Sequence, residues 1–208
     1  MTAPRSTANV GLRSPPRPLI DSLSRRGVFA SPAFLDVLTC QRIQRAMDTG
    51  VAEPAAVLDD GIRTRDDVRR ASSIEVDAES LEAVESRLDA IRGTVAGFFD
   101  LPLGEREGAS FLRYREGGFY RPHRDRGAGP EWPGAARRQV AVVVFLNGSR
   151  TGEDGGHFTG GALQLYVDPH AIQVHPSRGL LVAFPADVLH QVMRVDQGTR
   201  DTIVDWYY

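Results

Sequence analysis

Hydrophobic residues follow two different periods along this chain, and the period changes near residue 100. Between Glu79 and Phe99 they recur at steps of three and four, at positions 81, 84, 88, 91, 95 and 98. That spacing places them along one side of a helix, so it predicts a helix that packs on a sheet. A shorter helix is predicted to begin at Ser31-Pro32, because serine is a frequent cap and proline fits the first turn. Its apolar side would be formed by residues 34, 35, 38 and 43.

After residue 108 the apolar residues occur in short extended runs that glycine, proline and asparagine separate. From these runs we predict eight strands, at residues 109–114, 119–125, 139–146, 162–166, 172–175, 179–184, 190–195 and 201–207. Short strands with turn signals between them are typical of a closed or sandwiched all-β unit. A jelly-roll barrel would bring the second and the seventh of these runs together. One earlier strand is predicted at residues 72–76.

These patterns divide the chain into three parts. Residues 1–18 are rich in proline, arginine, serine and threonine and lack an apolar pattern, so they are predicted to form a flexible N-terminal arm. Residues 19–107 are predicted to form a helical support region and residues 108–208 a barrel, with residues 19–208 as a single structural domain. The predicted fold class is mainly β with packed helices (α+β), a jelly-roll or cupin-like barrel flanked by N-terminal helices.

Composition narrows the function classes only a little. The chain has 208 residues, of which 41% are hydrophobic and 25% charged, as in ordinary soluble globular proteins. The net charge of −2 gives no general attraction to nucleic acid or to an anionic membrane. The sequence contains neither the ~20 consecutive apolar residues of a membrane span nor the apolar core of a signal peptide. We therefore expect a soluble cytoplasmic protein, with neither a nucleic acid nor a membrane as its partner.

Three residues that are far apart in the sequence have the chemistry of one metal site. His123 and Asp125 are two residues apart, so on an extended segment their side chains point to the same side. His190 follows 67 residues later (190 − 123) and is the best candidate for a third ligand. Two imidazoles and one carboxylate on one face of a metal leave the opposite positions open. This is the facial triad of non-haem Fe(II) oxygenases.

Arg200 adds a cation close to this predicted site. It lies ten residues after His190 (200 − 190), and alternation along a strand would place Thr202, Val204 and Trp206 on the same face. A buried arginine needs an anion, because an unpaired buried charge is costly. A dicarboxylic cosubstrate would supply one, with one end on the metal and the other paired with the guanidinium. The alternative is a surface arginine on an edge strand.

Several segments of the chain share order, spacing and flanking residues with one known family. They lie at residues 111–114, 118–125, 144–147, 160–166, 176–184, 190–192 and 198–207. In these segments the chain resembles the 2-oxoglutarate- and Fe(II)-dependent dioxygenases, and among them the prolyl 4-hydroxylase branch. The resemblance covers roughly residues 108–208. It implies a double-stranded β-helix fold and an oxidoreductase that depends on Fe(II), 2-oxoglutarate and O2, with ascorbate as a reductant.

The resemblance also implies residue roles. His123, Asp125 and His190 would bind iron, and Arg200 would bind the distal carboxylate of 2-oxoglutarate. Tyr114 matches a family tyrosine that lines the pocket near the cosubstrate, while its alternative reading is a core tyrosine.

Three neighbouring aromatic residues are interpreted differently. Phe145 departs from the pattern, because several prolyl hydroxylases carry a tyrosine there that helps to hold the cosubstrate. Trp206 is predicted to pack beneath the site. Tyr120 is predicted to lie on the other face of the strand that carries His123, because the offset between the two residues is odd.

The resemblance implies hydroxylation of an unactivated C–H bond, most consistently in a prolyl residue of a protein or peptide. The alternatives are a hydroxylase of a free amino acid or a natural-product intermediate, and a non-catalytic barrel used for binding. A nucleic-acid demethylase is less favoured, because that branch carries a second arginine where Trp206 stands. The loop 126–138 is predicted to act as a lid, and Arg121 and Arg126 are candidates for favouring an acidic or carboxylate-bearing substrate. Oligomeric state and pathway stay open.

Overall fold

The computed structural model describes residues 17–58, 62–127, 133–150, 156–167 and 170–208. Its four helices are α1 (Arg17–Ser24), α2 (Val37–Thr49), α3 (Ala78–Phe99) and α4 (Pro133–Arg137). Sixteen short strands make up the rest of the regular structure in these ranges. They are β1 (Phe29–Ser31), β2 (Ala52–Pro54), β3 (Val57–Leu58), β4 (Ile62–Arg63), β5 (Arg69–Arg70), β6 (Ser72–Ile74), β7 (Ser110–Arg115), β8 (Phe119–His123), β9 (Val140–Phe145), β10 (Thr159–Gly160), β11 (Leu163–Val167), β12 (His170–Val174), β13 (Leu181–Pro185), β14 (His190–Val192), β15 (Val195–Gln197) and β16 (Thr199–Tyr207).

Two antiparallel sheets form the body of the protein. The larger sheet has seven strands in the order β1-β13-β9-β16-β7-β6-β2, and the smaller has five in the order β12-β11-β14-β8-β5. Each of the eight runs predicted beyond residue 108 overlaps a strand, with the seventh run divided between β14 and β15. The second and seventh runs pair directly, since β8 is antiparallel to β14. The predicted mainly-β fold with packed helices, consistent with a double-stranded β-helix, is confirmed.

The central strand β9 shows why the larger sheet is apolar on both faces. All six of its residues are buried. Val142 and Val144 belong to the core beneath the helices, whereas Val143 and Phe145 belong to the core between the two sheets. Successive strand residues point to opposite faces, so a strand covered on both sides is apolar without alternation. The second of these cores is the interior of the barrel.

The helix α3 covers the outer face of the larger sheet, as its sequence pattern predicts. Val84, Leu88 and Val95 are fully buried in the core that this sheet shares with α2 and α3. The side chain of Asp77 caps the helix by accepting a hydrogen bond from the backbone N–H of Ser80 at 2.8 Å. Capping satisfies an N–H group that the first turn of a helix leaves unpaired. None of the helices in the described ranges has both the length and the apolar character that a bilayer crossing requires.

The prediction that a helix begins at Ser31-Pro32 is wrong. Ser31 ends the strand β1, which pairs with β13, and the helix α2 begins only at Val37. The cap is Asp36, whose carboxylate accepts a hydrogen bond from the backbone N–H of Thr39 at 2.8 Å. Leu38, which was expected on the apolar side, is 76% exposed. Sheet pairing therefore overrides the local serine–proline signal, and the true cap lies five residues further on.

The N-terminal part of the chain contributes strands as well as helices. The strands β1, β2 and β6 extend the larger sheet, and β5 extends the smaller one. The predicted strand at residues 72–76 is confirmed as β6. The predicted arm lies almost wholly outside the described residues, and its last two residues already belong to α1. Strands from both sides of residue 108 pair in the same two sheets. The predicted division into a support region (19–107) and a barrel (108–208) stays a prediction.

Candidate metal centre

The two sheets bring the three predicted metal ligands together. His123 ends β8 and His190 begins β14, and the two residues are direct partners across this strand pair. Their ring centroids are 4.1 Å apart. Asp125 is buried just beyond β8, and the ligand atoms of the three side chains all lie within 4.8 Å of one another. Three residues chosen from sequence spacing are thus neighbours in space.

A β-bulge in β8 sets the direction of these side chains. Val192 pairs with Tyr120 and His190 pairs with His123, so three steps along β8 match two steps along β14. The extra residue falls at Arg121 or Pro122. Proline lacks the N–H that a regular ladder requires and is tolerated at bulges.

The bulge reverses the alternation of side chains, so the prediction that Tyr120 lies on the other face is wrong. Its ring stacks on the imidazole of His123 with a centroid distance of 3.5 Å. It also lines the cavity of the site. Pro122 within a strand was the sequence signal that could have indicated the bulge.

Both histidines are oriented by backbone carbonyl groups. The Nδ1 atom of His123 lies 2.8 Å from the carbonyl oxygen of Arg121, and Nδ1 of His190 lies 2.9 Å from that of Val188. A carbonyl only accepts, so each Nδ1 carries the proton and donates it. In the neutral imidazole this leaves Nε2 as the nitrogen that can bind a metal. Such outer hydrogen bonds are typical of metal-binding histidines.

The Nε2 atoms of both histidines face the carboxylate of Asp125. Nε2 of His123 lies 3.5 Å from Oδ1 of Asp125, and Nε2 of His190 lies 3.5 Å from Oδ2. At 3.5 Å both contacts are longer than a normal hydrogen bond. Ligands that bind one metal at 2.0–2.2 Å lie roughly 3.0–3.4 Å apart. The three side chains therefore fit a divalent cation placed between them.

The electrostatics of the site favour the metal-binding protonation states. Burial would raise the pKa of Asp125, but the neighbouring His190 and His123 and the indole of Trp206 hold that pKa well below its usual range. Burial lowers the pKa of His190 to about 4, against the opposing field of Asp125. At neutral pH the site thus offers a neutral imidazole at His190 and an anionic carboxylate. This donor set suits Fe(II) with open positions.

A further group of side chains holds Asp125 in place. The indole N–H of Trp206 helps to lower the pKa of its carboxyl group, and Nη1 of Arg138 donates to its backbone carbonyl at 3.1 Å. The Arg138 guanidinium lies 3.7 Å from the centroid of the Trp206 ring and forms an ion pair with Glu107. Sequence reasoning predicted that Trp206 packs near the site but missed Arg138 and Glu107. No spacing signal connects these two residues, because 31 positions separate them.

Arg200 lies inside the barrel with part of its hydrogen-bonding capacity unused. Its side chain is only 1% exposed, and Nε and Nη1 have no hydrogen-bond partner among the described residues. Burial lowers the pKa of Arg200 to about 10, so it is still charged at neutral pH. The rings of Tyr114 and Phe145 flank it, with centroids 5.0 and 5.3 Å from Cζ. A buried cation with two idle donor atoms fits an anionic ligand.

Gly161 makes room for this arginine. Its φ of +65° is in the left-handed region that favours glycine, and a Cβ atom there would lie 3.1 Å from Cδ of Arg200. Gly161 therefore allows the left-handed backbone of the turn and also leaves space for the side chain of Arg200.

One cavity of about 370 Å³ connects the predicted metal ligands with Arg200. This volume is within the usual range for sites that bind small molecules. Its wall includes the four residues that were predicted to share a face of β16, at positions 200, 202, 204 and 206. It also includes Tyr114, which was expected near the cosubstrate.

The predicted lid is only partly described, and the two arginines that were expected to favour an acidic substrate do not line the cavity. Residues 128–132, with the aromatic tip of the lid, lie outside the described residues. Arg121 donates to the carbonyl group of Asp67, and Arg126 donates to that of Arg138. Neither of these two arginines is among the residues that line the cavity.

Comparisons with known proteins agree with this geometry. The family model of the 2OG-Fe(II) oxygenase superfamily matches residues 109–208. A search of curated proteins finds no match. Among solved structures, a prolyl-4-hydroxylase from Pseudomonas putida is 24% identical with a TM-score of 0.68, over 91% of this chain and 96% of its own.

Two further structures are similar in fold. A prolyl hydroxylase from Trichoplax adhaerens, in complex with a peptide fragment of the hypoxia inducible factor oxygen degradation domain, is 19% identical with a TM-score of 0.68, covering 91% of this chain and 86% of its own. A viral collagen prolyl hydroxylase from Paramecium Bursaria Chlorella virus-1, in complex with 2OG, is 16% identical with a TM-score of 0.59, covering 87% and 94%.

The barrel, the grouped His123, Asp125 and His190, the buried Arg200 and the family match over the C-terminal half agree with one another. Residues 109–208 match the oxidoreductases of the 2OG-Fe(II) oxygenase superfamily, and the chain has the fold of the prolyl hydroxylases.

Proposed function

We propose that this enzyme hydroxylates an unactivated C–H bond of a prolyl residue in a protein or peptide. The overall reaction consumes the substrate, 2-oxoglutarate and O2 and yields the hydroxylated product, succinate and CO2. Bound Fe(II) would supply the activation of O2 that this reaction requires. The observation that carries the proposal is that one cavity holds both the three grouped ligand side chains and Arg200, whose Nε and Nη1 have no partner among the described residues.

Each proposed ligand has its own place in the cavity. Nε2 of His123, Nε2 of His190 and the carboxylate of Asp125 would bind Fe(II). Nε and Nη1 of Arg200 would donate to the distal carboxylate of 2-oxoglutarate, in a charge-assisted pair. Tyr114 would add a hydroxyl group to this anchor, because its ring flanks the guanidinium and Phe145 on the other side has no hydroxyl.

The walls of the cavity support a prolyl substrate. Tyr120 and Trp206 both line the space around the proposed metal position. A pyrrolidine ring is rigid and apolar, so it loses little entropy on binding and packs well on aromatic rings. The fold is shared with prolyl hydroxylases, one of them in complex with a peptide. A free amino acid or a natural-product intermediate is the alternative substrate.

The predicted use of ascorbate and the predicted cytoplasmic location stay predictions. The reading of the chain as a non-catalytic binding barrel is not retained, because the family and the complete set of site residues support an enzyme.

Metal and cosubstrate binding can be tested without knowledge of the substrate. Under anaerobic conditions, Fe(II) and 2-oxoglutarate should together give a weak visible charge-transfer band. The variant His123→Ala should lose the band, whereas His157→Ala should keep it, because the exposed His157 is not among the residues that line the cavity. Absence of the band in folded wild-type protein would contradict the proposal.

The substrate class requires a second experiment. Release of succinate should be measured in the presence of prolyl peptides, free amino acids or amino-acid derivatives. Each rate is compared with the rate in the absence of any candidate substrate. Stimulation by prolyl peptides supports the proposed function. Stimulation by free amino acids alone would replace the prolyl residue by the alternative substrate.

A further inference from the structure

A second arginine of the cavity has an unused donor. Arg69 is in the short strand β5, where it pairs with Tyr120 of β8. Its guanidinium carbon lies 4.6 Å from the centroid of the Tyr120 ring, and Nη1 donates to the carbonyl group of Ala56 at 2.7 Å. Its Nε atom is buried and has no hydrogen-bond partner among the described residues. The side chain lines the same cavity as the proposed metal ligands.

The charge of Arg69 is not balanced by an acidic side chain in the part of the chain that the structure describes. Arg138, which also lines the cavity, is paired with Glu107, and Arg124 donates to the carbonyl group of Asp187. The field of Arg69 also contributes to lowering the pKa of Arg200. Arg124 also lacks an acidic partner in the described residues but is exposed, so Arg69 and Arg200 are the two lining arginines with buried donor atoms that have no partner there.

The cosubstrate, as assigned in the proposed function, places neither of its carboxylates at Arg69. Its distal carboxylate is assigned to Arg200 and its other end to the open positions of the iron. Arg69 stands elsewhere, over the face of Tyr120, and the ring of Tyr120 stacks on His123. Because Arg69 and His123 both contact the ring of Tyr120, a second anion at Arg69 would lie in the neighbourhood of the proposed metal.

We propose that Arg69 binds a carboxylate group of the substrate and so selects substrates that carry a carboxylate close to the hydroxylated carbon. This inference rests on the proposed function. The group can be the α-carboxylate of a free amino acid, the C-terminus of a peptide or an acidic side chain next to the target residue. All three present the same two oxygen atoms to the guanidinium. The idle Nε and a neighbouring Nη group form the fork that a carboxylate matches.

Binding can be measured without turnover in protein loaded with Zn(II) and 2-oxoglutarate. Isothermal titration calorimetry should compare L-proline with L-prolinamide, and acetyl-Ala-Pro with its C-terminal amide. Acetyl-Asp-Pro-amide and acetyl-Asn-Pro-amide form the third pair, which tests an acidic side chain. We expect at least one carboxylate to bind about ten-fold tighter or more than its neutral partner, which is the range of a charge-assisted hydrogen bond. The pair that shows the preference identifies the source of the carboxylate.

Two variants connect the preference with Arg69. Arg69→Gln should bind the carboxylate and the amide of that pair equally, and Arg69→Lys should keep part of the preference and serves if the first variant does not fold. Arg70→Gln is the matched control and should keep the full preference, because the guanidinium of the neighbouring Arg70 lies 6.0 Å from the centroid of the Phe119 ring. Neither Arg70 nor Phe119 is among the residues that line the cavity.

The outcomes separate this inference from the proposed function. If the wild-type protein binds 2-oxoglutarate but shows no preference in any pair, or binds no probe, the role of Arg69 is refuted while the dioxygenase assignment stands. A preference that persists in Arg69→Gln, or a loss of 2-oxoglutarate binding in that variant, also refutes it. Failure of the wild-type protein to bind 2-oxoglutarate at all would instead refute the proposed function.

Discussion

Replacement of Arg200 by methionine should stabilise the ligand-free protein while it abolishes cosubstrate binding. Methionine fills a similar elongated space but carries no charge. In the wild-type protein the guanidinium is almost completely buried, and two of its nitrogen atoms have no partner among the described residues. The charge therefore costs free energy until an anion binds, and removal of the charge should recover that free energy.

The magnitude follows from the pKa of Arg200. Burial lowers it from 12.5 to about 10, which at about 1.4 kcal/mol per pH unit corresponds to about 3 kcal/mol. The cost is present at neutral pH, where the buried side chain is protonated. The flanking rings of Tyr114 and Phe145 offset roughly 1 kcal/mol or less each through cation–π attraction. We therefore expect the free energy of unfolding of the ligand-free variant to rise by about 1–2 kcal/mol, with a rise in Tm of about 2–8 °C.

The assay is thermal or urea unfolding with a chelator, with Zn(II), and with Zn(II) and 2-oxoglutarate. At a cosubstrate concentration of about 100 Kd the wild-type protein should gain about 2.7 kcal/mol over Zn(II) alone. Arg200→Met should gain nothing from 2-oxoglutarate. A variant that is destabilised without ligands and still stabilised by 2-oxoglutarate would refute the reasoning.

Arg113→Met is the matched control, because Arg113 is also a buried arginine but has its anion. It donates to both carboxylate oxygens of Asp201, at 2.7 and 3.0 Å, and contacts Asp48 at 2.8 Å. Its removal leaves Asp201 buried without its cation, so the free energy of unfolding should fall by about 3–5 kcal/mol. The response to 2-oxoglutarate should persist in any fraction that stays folded.

Three smaller changes test the surroundings of the site. Trp206→Phe removes the indole N–H that helps to keep the pKa of Asp125 low, and the affinity for Fe(II) should fall by about 10–100-fold in a competition assay with a chelating dye. Tyr114→Phe removes only a hydroxyl group, and the Kd of 2-oxoglutarate should rise about five-fold, as for a lost hydrogen bond. Gly161→Ala puts a Cβ atom 3.1 Å from Arg200 at a φ of +65°; unfolding experiments should show a loss of about 1–3 kcal/mol.

Each of these expectations has an outcome that contradicts it. Unchanged Fe(II) affinity in Trp206→Phe would mean that the indole does not support Asp125. Unchanged 2-oxoglutarate binding in Tyr114→Phe would return Tyr114 to the role of a core residue. Wild-type stability and binding in Gly161→Ala would mean that the turn tolerates a side chain there.

Sequence reasoning predicted the barrel well because strand pairing in this half of the chain follows the hydrophobic pattern. It predicted the neighbourhood of His123 and His190 because a jelly roll pairs the strands that carry them. It failed at Tyr120, because a bulge adds a residue to one strand and reverses the alternation of side chains. It also failed at the start of α2, because pairing of β1 with β13 is a long-range contact that a local serine–proline signal does not contain.

The arginines show most clearly what pattern alone does not contain. Arg69, Arg113 and Arg200 all lie on strands and are indistinguishable by residue type, but their surroundings differ. Arg113 is satisfied by Asp201, a residue 88 positions away, which makes it structural. Arg200 and Arg69 keep buried donor atoms that have no partner in the part of the chain that the structure describes. Evolution tends to remove such costly groups unless a ligand offsets them. A buried guanidinium donor without a partner is therefore an indicator of a binding position when the arginine also lines a cavity. In the described residues Arg69 and Arg200 meet both conditions, whereas Arg42 has such a donor but does not line the cavity.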